Sequence, residues 1–112
     1  MQNKSDVVIT GVGVISPIGI GTDAFWHALR EGENGIRPIN LFDAHGLTVR
    51  FGGQVPSFDP KLYVRPRKSL KVMSRDIQFG FAAADLAMAD AHVTSERLDP
   101  ERFGVVFGND MI

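Results

Sequence analysis

The sequence predicts an α/β chain built on an incomplete parallel sheet, and three observations predict it. Two runs, 6–16 (DVVITGVGVIS) and 102–108 (RFGVVFG), are apolar and rich in β-branched residues without strict alternation. That is the pattern of strands covered by helices on both faces. A long helical pattern at 69–92 lies between them, as in a strand–helix–strand unit with a right-handed crossover. Finally, two such strands cannot form a sheet alone. Each needs further strands and helices over it, so the layer is expected to be completed by polypeptide other than these 112 residues.

Each element has a local signature. Gly11 and Gly13 inside the first run predict a bulge or a close backbone approach, and Pro17 and Gly19 end it. Residues 22–32 (TDAFWHALREG) read as a short amphipathic helix, with Thr22 as N-cap and Asp23 at the positive end of the dipole. Phe25, Trp26 and Leu29 fall on one face, and Gly32 and Gly35 are stop signals. Residues 33–50 read as an irregular connection and 50–55 as a short edge strand. Asp59-Pro60 has the form of an N-cap followed by proline at the first position of a brief helix. In the long helix Met73, Ile77, Phe81, Ala84, Met88 and Ala91 recur at three- and four-residue spacing. Its many alanines predict close packing on more than one side. Asp99-Pro100 opens a turn before the second buried strand.

Composition narrows the function classes. Hydrophobic residues at 44% and charged residues at 22% belong to a globular chain. A formal net charge of -1 gives no electrostatic footprint for nucleic acid. The chain has no cysteine, which removes disulfides, thiolate metal sites and any cysteine nucleophile. His27, His45 and His92 are scattered, so no metal is expected, and each reads as a surface or structural residue. The apolar stretch 7–20 contains Gly11, Gly13, Pro17 and Gly19 and no clean cleavage site follows; it reads as a strand rather than a secretory leader. No apolar run reaches transmembrane length. A cytoplasmic protein is expected.

Three features could carry chemistry. The stretch Gly11-Val12-Gly13-Val14-Ile15-Ser16-Pro17 resembles a dinucleotide fingerprint, but Ser16 stands where the third glycine belongs and Pro17 where the helix should open. Tight packing of a central strand explains the glycines better. Residues 61–75 hold Lys61, Arg65, Arg67, Lys68, Lys71 and Arg75, six of the twelve basic residues, and no acid. Lys68, Lys71 and Arg75 would share a face if the long helix begins early. A local cationic patch on a near-neutral chain points to an anionic partner or to a solvated helix end. The last feature is the loop Gly108-Asn109-Asp110-Met111-Ile112 after the second strand, where ligand sites commonly form.

The ordered set of segments resembles a known family. VVITGVGVISPIG at 7–19, TDAFWHALREGENGIRPI at 22–39, RKSLKVMSRDIQFGFAAADLAMADA at 67–91 and ERFGVVFGNDMI at 101–112 are similar to successive segments of the elongating β-ketoacyl-acyl-carrier-protein synthases. The likeness covers almost the whole chain. It implies the amino-terminal part, residues 1–112, of a thiolase-like layered fold, in an enzyme that is a homodimer or heterodimer when full-length. The implied reaction is decarboxylative condensation of a malonyl-carrier with an acyl group in fatty acid or polyketide synthesis, with no cofactor. It needs a thiolate activated at a helix amino terminus and two histidines that stabilise developing negative charge. In the family those groups lie downstream of the matched region, so no catalytic residue is assigned here. The resemblance implies that Arg67, Lys68 and Lys71 dock the acidic acyl carrier protein, and that Met111 lines the acyl pocket. One departure stands out: Asp110 replaces a glycine of the family's Gly-Ser-Gly-Ile-Gly loop. The alternative is a non-catalytic partner subunit of the chain-length-factor type.

Overall fold

A computed structural model describes residues 5–110. Its elements are β1 (Ile15–Ser16), β2 (Gly19–Ile20), α1 (Thr22–Arg30), β3 (Ile36–Pro38), β4 (Phe51–Gly53) and α2 (Arg75–Asp90). Three 3₁₀ turns join them, at Pro60–Leu62, Arg67–Val72 and Pro100–Arg102. The chain is mixed α and β as predicted, but the pairing differs. Among the described residues both sheets are two-stranded and antiparallel: β1 with β2, and β3 with β4. No parallel pair forms among them.

The reason lies in the two predicted buried strands. Only Ile15–Ser16 of the first run is a paired strand, and none of the second is. Val7, Val8 and Ile9 are exposed, at 99%, 70% and 86%. Val105 and Val106 are exposed at 78% and 101%. These apolar side chains lack the neighbours that their sequence pattern calls for. The total accessible surface is 9503 Å², against about 6,100 Å² for a self-contained protein of this mass by the size scaling of folded monomers. The radius of gyration is 17.5 Å, against about 13 Å for a compact domain of this length. Five hydrophobic residues are buried among the described residues, Ala28, Ala44, Val55, Val64 and Ala82, and only Val64 and Ala82 completely.

What order there is centres on α2. Ser74 caps it, its hydroxyl accepting from the Ile77 amide at 3.4 Å. The helix therefore starts at Arg75, later than the sequence pattern predicts, because Met73 and Ser74 are extended and the preceding residues form a separate 3₁₀ turn. One face of α2 receives the glycine stretch: a Cβ on Gly11 would meet Ala87 and Ala91, and one on Gly13 would meet Ala83 O and, at 2.6 Å, Ala87 N. The Val12 amide donates to the Asp90 carboxylate at 2.9 Å, fixing the register of this contact. The glycines thus serve backbone packing, as read from the sequence. On another side the ring of Phe107 sits over Gly80.

The remaining elements follow local rules, with corrections. Gly21 caps α1, not Thr22, which is the first helical residue, and no side-chain cap bond forms. Gly32, at φ 70°, ends α1 with two reverse bonds, Gly32 N to Leu29 O at 3.2 Å and Glu33 N to Ala28 O at 2.9 Å. This is a Schellman end, whose left-handed position favours glycine. Within α1 it is Ala28 that is buried and Phe25 half-buried; Trp26 and Leu29 stay exposed at 63% and 47%. The connection 33–50 contains β3, which the sequence reading left irregular. Isolated, Ile36-Arg37-Pro38 has no strand pattern, and its pairing with β4 across a long loop is what makes it one. Asp59 and Pro60 behave as predicted: the Asp59 carboxylate accepts from the Lys61 amide at 2.9 Å over one short turn.

α2 ends in the same way as α1, but with His92 in the left-handed position, at φ 54°. His92 N bonds Ala89 O at 3.1 Å and Val93 N bonds Met88 O at 2.9 Å. Two outcomes are expected in chemical denaturation of the intact protein. Gly13→Ala lowers stability by about 1–3 kcal/mol, because the obstructing atoms are helix backbone and cannot swing away. His92→Gly raises it by about 0.5–1 kcal/mol, because glycine adopts that conformation without strain.

Candidate functional site

The basic stretch does not form one helical face. Arg67, Lys68 and Lys71 lie in the 3₁₀ turn Arg67–Val72, where residues three apart eclipse one another. Lys68 and Lys71 therefore project from the same side, and all three side chains are exposed. Pro66, with an extended backbone, precedes the turn, and Ser69 N returns to Pro66 O at 3.0 Å. Ser69 and Leu70 are its half-buried side. With no acid anywhere in 61–75, nothing in the segment itself neutralises this ridge.

Arg75 is separated from the ridge, contrary to the shared face drawn from spacing. The extended residues Met73 and Ser74 break the helical phase, and Arg75 turns toward an aromatic cluster. Its guanidinium carbon sits 4.8 Å from the centroid of Phe79 and 5.8 Å from that of Phe58. Its Nη2 donates to the carbonyl of buried Val55 at 3.3 Å. Phe58 meets Phe79 edge-on at 4.8 Å and stacks on Tyr63 at 5.9 Å with an interplanar angle of 7°. Val64, next to Tyr63, is wholly buried and bonds back to Pro60 O at 3.0 Å. Gln78 closes the arrangement, its Nε2 donating to Met73 O at 3.1 Å. The exposed cationic turn is thus held at both ends: before it by Tyr63 and Val64, after it by Arg75 and Gln78.

The sequence reading missed this cluster. Arg75 and Phe79 are four apart on a helix, a spacing that could have flagged the pair. Phe58 and Tyr63 come from another loop, and no local signal joins them to α2.

The carboxyl-terminal loop borders a hollow of about 410 Å³ lined by Gly13, Val14, Asp76, Phe79, Phe107 and Asn109, among others. Asp110 is exposed. Met111, assigned to an acyl pocket by resemblance, lies outside the described residues. Beside α2 an apolar groove of about 370 Å³ runs between Ile77, Phe81, Ala84 and Met88 on the helix and Val105 and Phe107 opposite. These four helix residues belong to the stripe predicted from the sequence, and Phe81 and Met88 remain 42% and 38% exposed. His27 is on α1, His45 in the loop after Asp43, and His92 at the end of α2. Among the described residues no three His, Asp or Glu side chains gather as a metal-binding group. No helix among them is long and apolar enough to cross a membrane.

Comparison with known proteins gives a consistent result. The family described as "Beta-ketoacyl synthase, N-terminal domain" matches residues 4–111. The chain is 41% identical over 105 residues to 3-oxoacyl-[acyl-carrier-protein] synthase 2 of Synechocystis sp., covering 94% of this chain and 25% of that protein. It is 39% identical over 106 residues to the tetracenomycin polyketide synthase ketoacyl synthase beta subunit of Streptomyces glaucescens, covering 95% and 26%. Among solved structures, that of the ishigamide ketosynthase/chain length factor superposes with a TM-score of 0.73 at 40% identity, over 81% of this chain and 22% of that one. The chain spans about a quarter of the length of the curated relatives it matches.

Proposed function

This chain belongs to the β-ketoacyl synthase family, whose amino-terminal domain it matches, and from that premise we propose that it forms the amino-terminal part of a synthase and supplies its docking surface for an acidic acyl carrier protein. The observation that carries this reading is the exposed 3₁₀ turn with Arg67, Lys68 and Lys71, set in a segment of fifteen residues, 61–75, without an acid. A ridge of cations steers an acidic partner and orients it, more than it contributes raw affinity. The acyl group would then be delivered to a cysteine. Decarboxylation of a malonyl thioester leaves a carbanion that attacks the acyl carbonyl and expels the thiolate. This chain has no cysteine, so the nucleophile belongs to polypeptide other than these residues. The intact protein is proposed to be a cytoplasmic homodimer or heterodimer acting in fatty acid or polyketide synthesis, without a cofactor. The fold is proposed to be thiolase-like, with residues 1–112 as one portion of its layered sheet.

A second reading is a non-catalytic partner subunit of the chain-length-factor type. The likeness to a ketoacyl synthase beta subunit and to a ketosynthase/chain length factor favours it. A thiol-directed inhibitor of condensing enzymes separates the two: covalent capture of the intact protein at one cysteine belongs to the synthase, and none to the partner subunit.

Two outcomes are expected. The isolated chain gives no condensation product from malonyl- and acyl-carrier substrates, as followed by mass spectrometry; turnover by this chain alone contradicts the proposal. In the intact protein, reversing Lys68 and Lys71 to Glu weakens carrier binding about tenfold at low ionic strength, or about 1.4 kcal/mol for the two charges. Calorimetric titration measures this, and unchanged affinity removes the docking assignment.

A further inference from the structure

Arg75 is the last of the six basic residues in 61–75, yet its surroundings differ from those of the other cations. Its guanidinium lies over Phe79 at 4.8 Å and near Phe58 at 5.8 Å, and it bonds the Val55 carbonyl at 3.3 Å. A guanidinium over aromatic rings and tied to a backbone oxygen is held in place by its own chain on one side. It joins two pieces of chain on either side of the cationic turn: Val55–Phe58 before it, and the start of α2, which holds both Arg75 and Phe79, after it. Phe58 in turn stacks on Tyr63, four residues before Arg67. Residues 63 and 75 therefore bracket the turn, and the cluster fixes the path of the chain between them.

We infer that Arg75 is a positioning residue for carrier docking: it does not meet the carrier itself but clamps the turn that presents Arg67, Lys68 and Lys71. This deepens the docking reading and rests on it. The clamp acts through exposed cations, so salt weakens its contribution and theirs alike as the Debye length falls from about 30 Å at 0.01 M to about 3 Å at 1 M ionic strength. Charge is what separates a clamp from a direct contact. Lysine in place of Arg75 keeps the charge but not the planar guanidinium, and leucine in place of Phe79 changes no charge at all.

The test titrates the intact protein with a purified acyl carrier protein bearing its phosphopantetheine arm, at low and at high ionic strength, with thermal melting as a control for folding. Arg75→Gln and Arg75→Lys are each expected to weaken binding about three- to tenfold. Both losses should shrink together as salt rises, with that of Lys68→Glu, because all of them act through the same cations. Phe79→Leu should reproduce the loss without any change of charge, and combining it with Arg75→Gln should add nothing beyond the larger single effect, because both break one cluster. The inference is overturned if Arg75→Lys or Phe79→Leu binds like the wild type, or if the Arg75 variants bind normally while Lys68→Glu is weakened. Should Lys68→Glu also bind normally, it is the docking reading that fails. Should Arg75→Gln melt too low to titrate, Phe79→Leu and Arg75→Lys decide the same question.

Discussion

The order in this chain depends on one close contact, that of the stretch 11–13 with the backbone of α2. Gly11 and Gly13 let main chain lie against main chain, where any Cβ would collide with Ala83, Ala87 or Ala91. The Val12 amide anchors the contact on Asp90 at 2.9 Å. From this seat the chain runs into the β1–β2 hairpin and then α1, where Gly21 N bonds Val14 O at 2.8 Å. Alanines on the helix and glycines in the stretch before β1 are two halves of one adaptation: both remove side-chain bulk so that a helix can sit unusually near another backbone.

The same contact shows what is missing around it. A stretch of chain held against a helix on one side is still bare on its others. Here Val7, Val8, Ile9, Val105 and Val106 point into solvent, and α2 keeps Phe81 and Met88 partly bare. The surplus of accessible surface, 9503 Å² against the roughly 6,100 Å² scaling value, is about 3,400 Å². That is roughly four times the area, about 800 Å², that one partner contributes to a standard protein–protein interface. An amount this large fits the covering of a sheet and helix by more of a fold better than a single docked partner. It also agrees with the chain's span of about a quarter of its relatives' length.

Against that open background the segment 55–79 stands out as locally determined. Its aromatic and cationic groups satisfy one another within a short stretch of sequence, around the buried Val55 and Val64. Arg67, Lys68 and Lys71 are exposed and lie outside the cluster, whereas Arg75, also exposed, rests its guanidinium against Phe79 and Phe58. Charge alone does not separate these two groups of basic residues. Their neighbours do.

The mixture of helix and strand, the packing role of Gly11 and Gly13, the stop at Gly32, the Asp59-Pro60 turn, the interior of α2 and the basic character of 61–75 were legible in the residues. All of these rest on short-range chemistry: periodicity, capping, turn preference and charge. The family was legible too, because ordered similarity over nearly every residue does not depend on any contact. The start of α2 at Arg75, the capping of α1 by Gly21, the pairing of β3 with β4 and the removal of Arg75 from the cationic face come instead from how the chain meets itself in space. The two predicted buried strands kept their apolar composition but not their pairing. Strand pairing is made by partners far along a chain, and an apolar pattern states that a residue should be covered without stating by what.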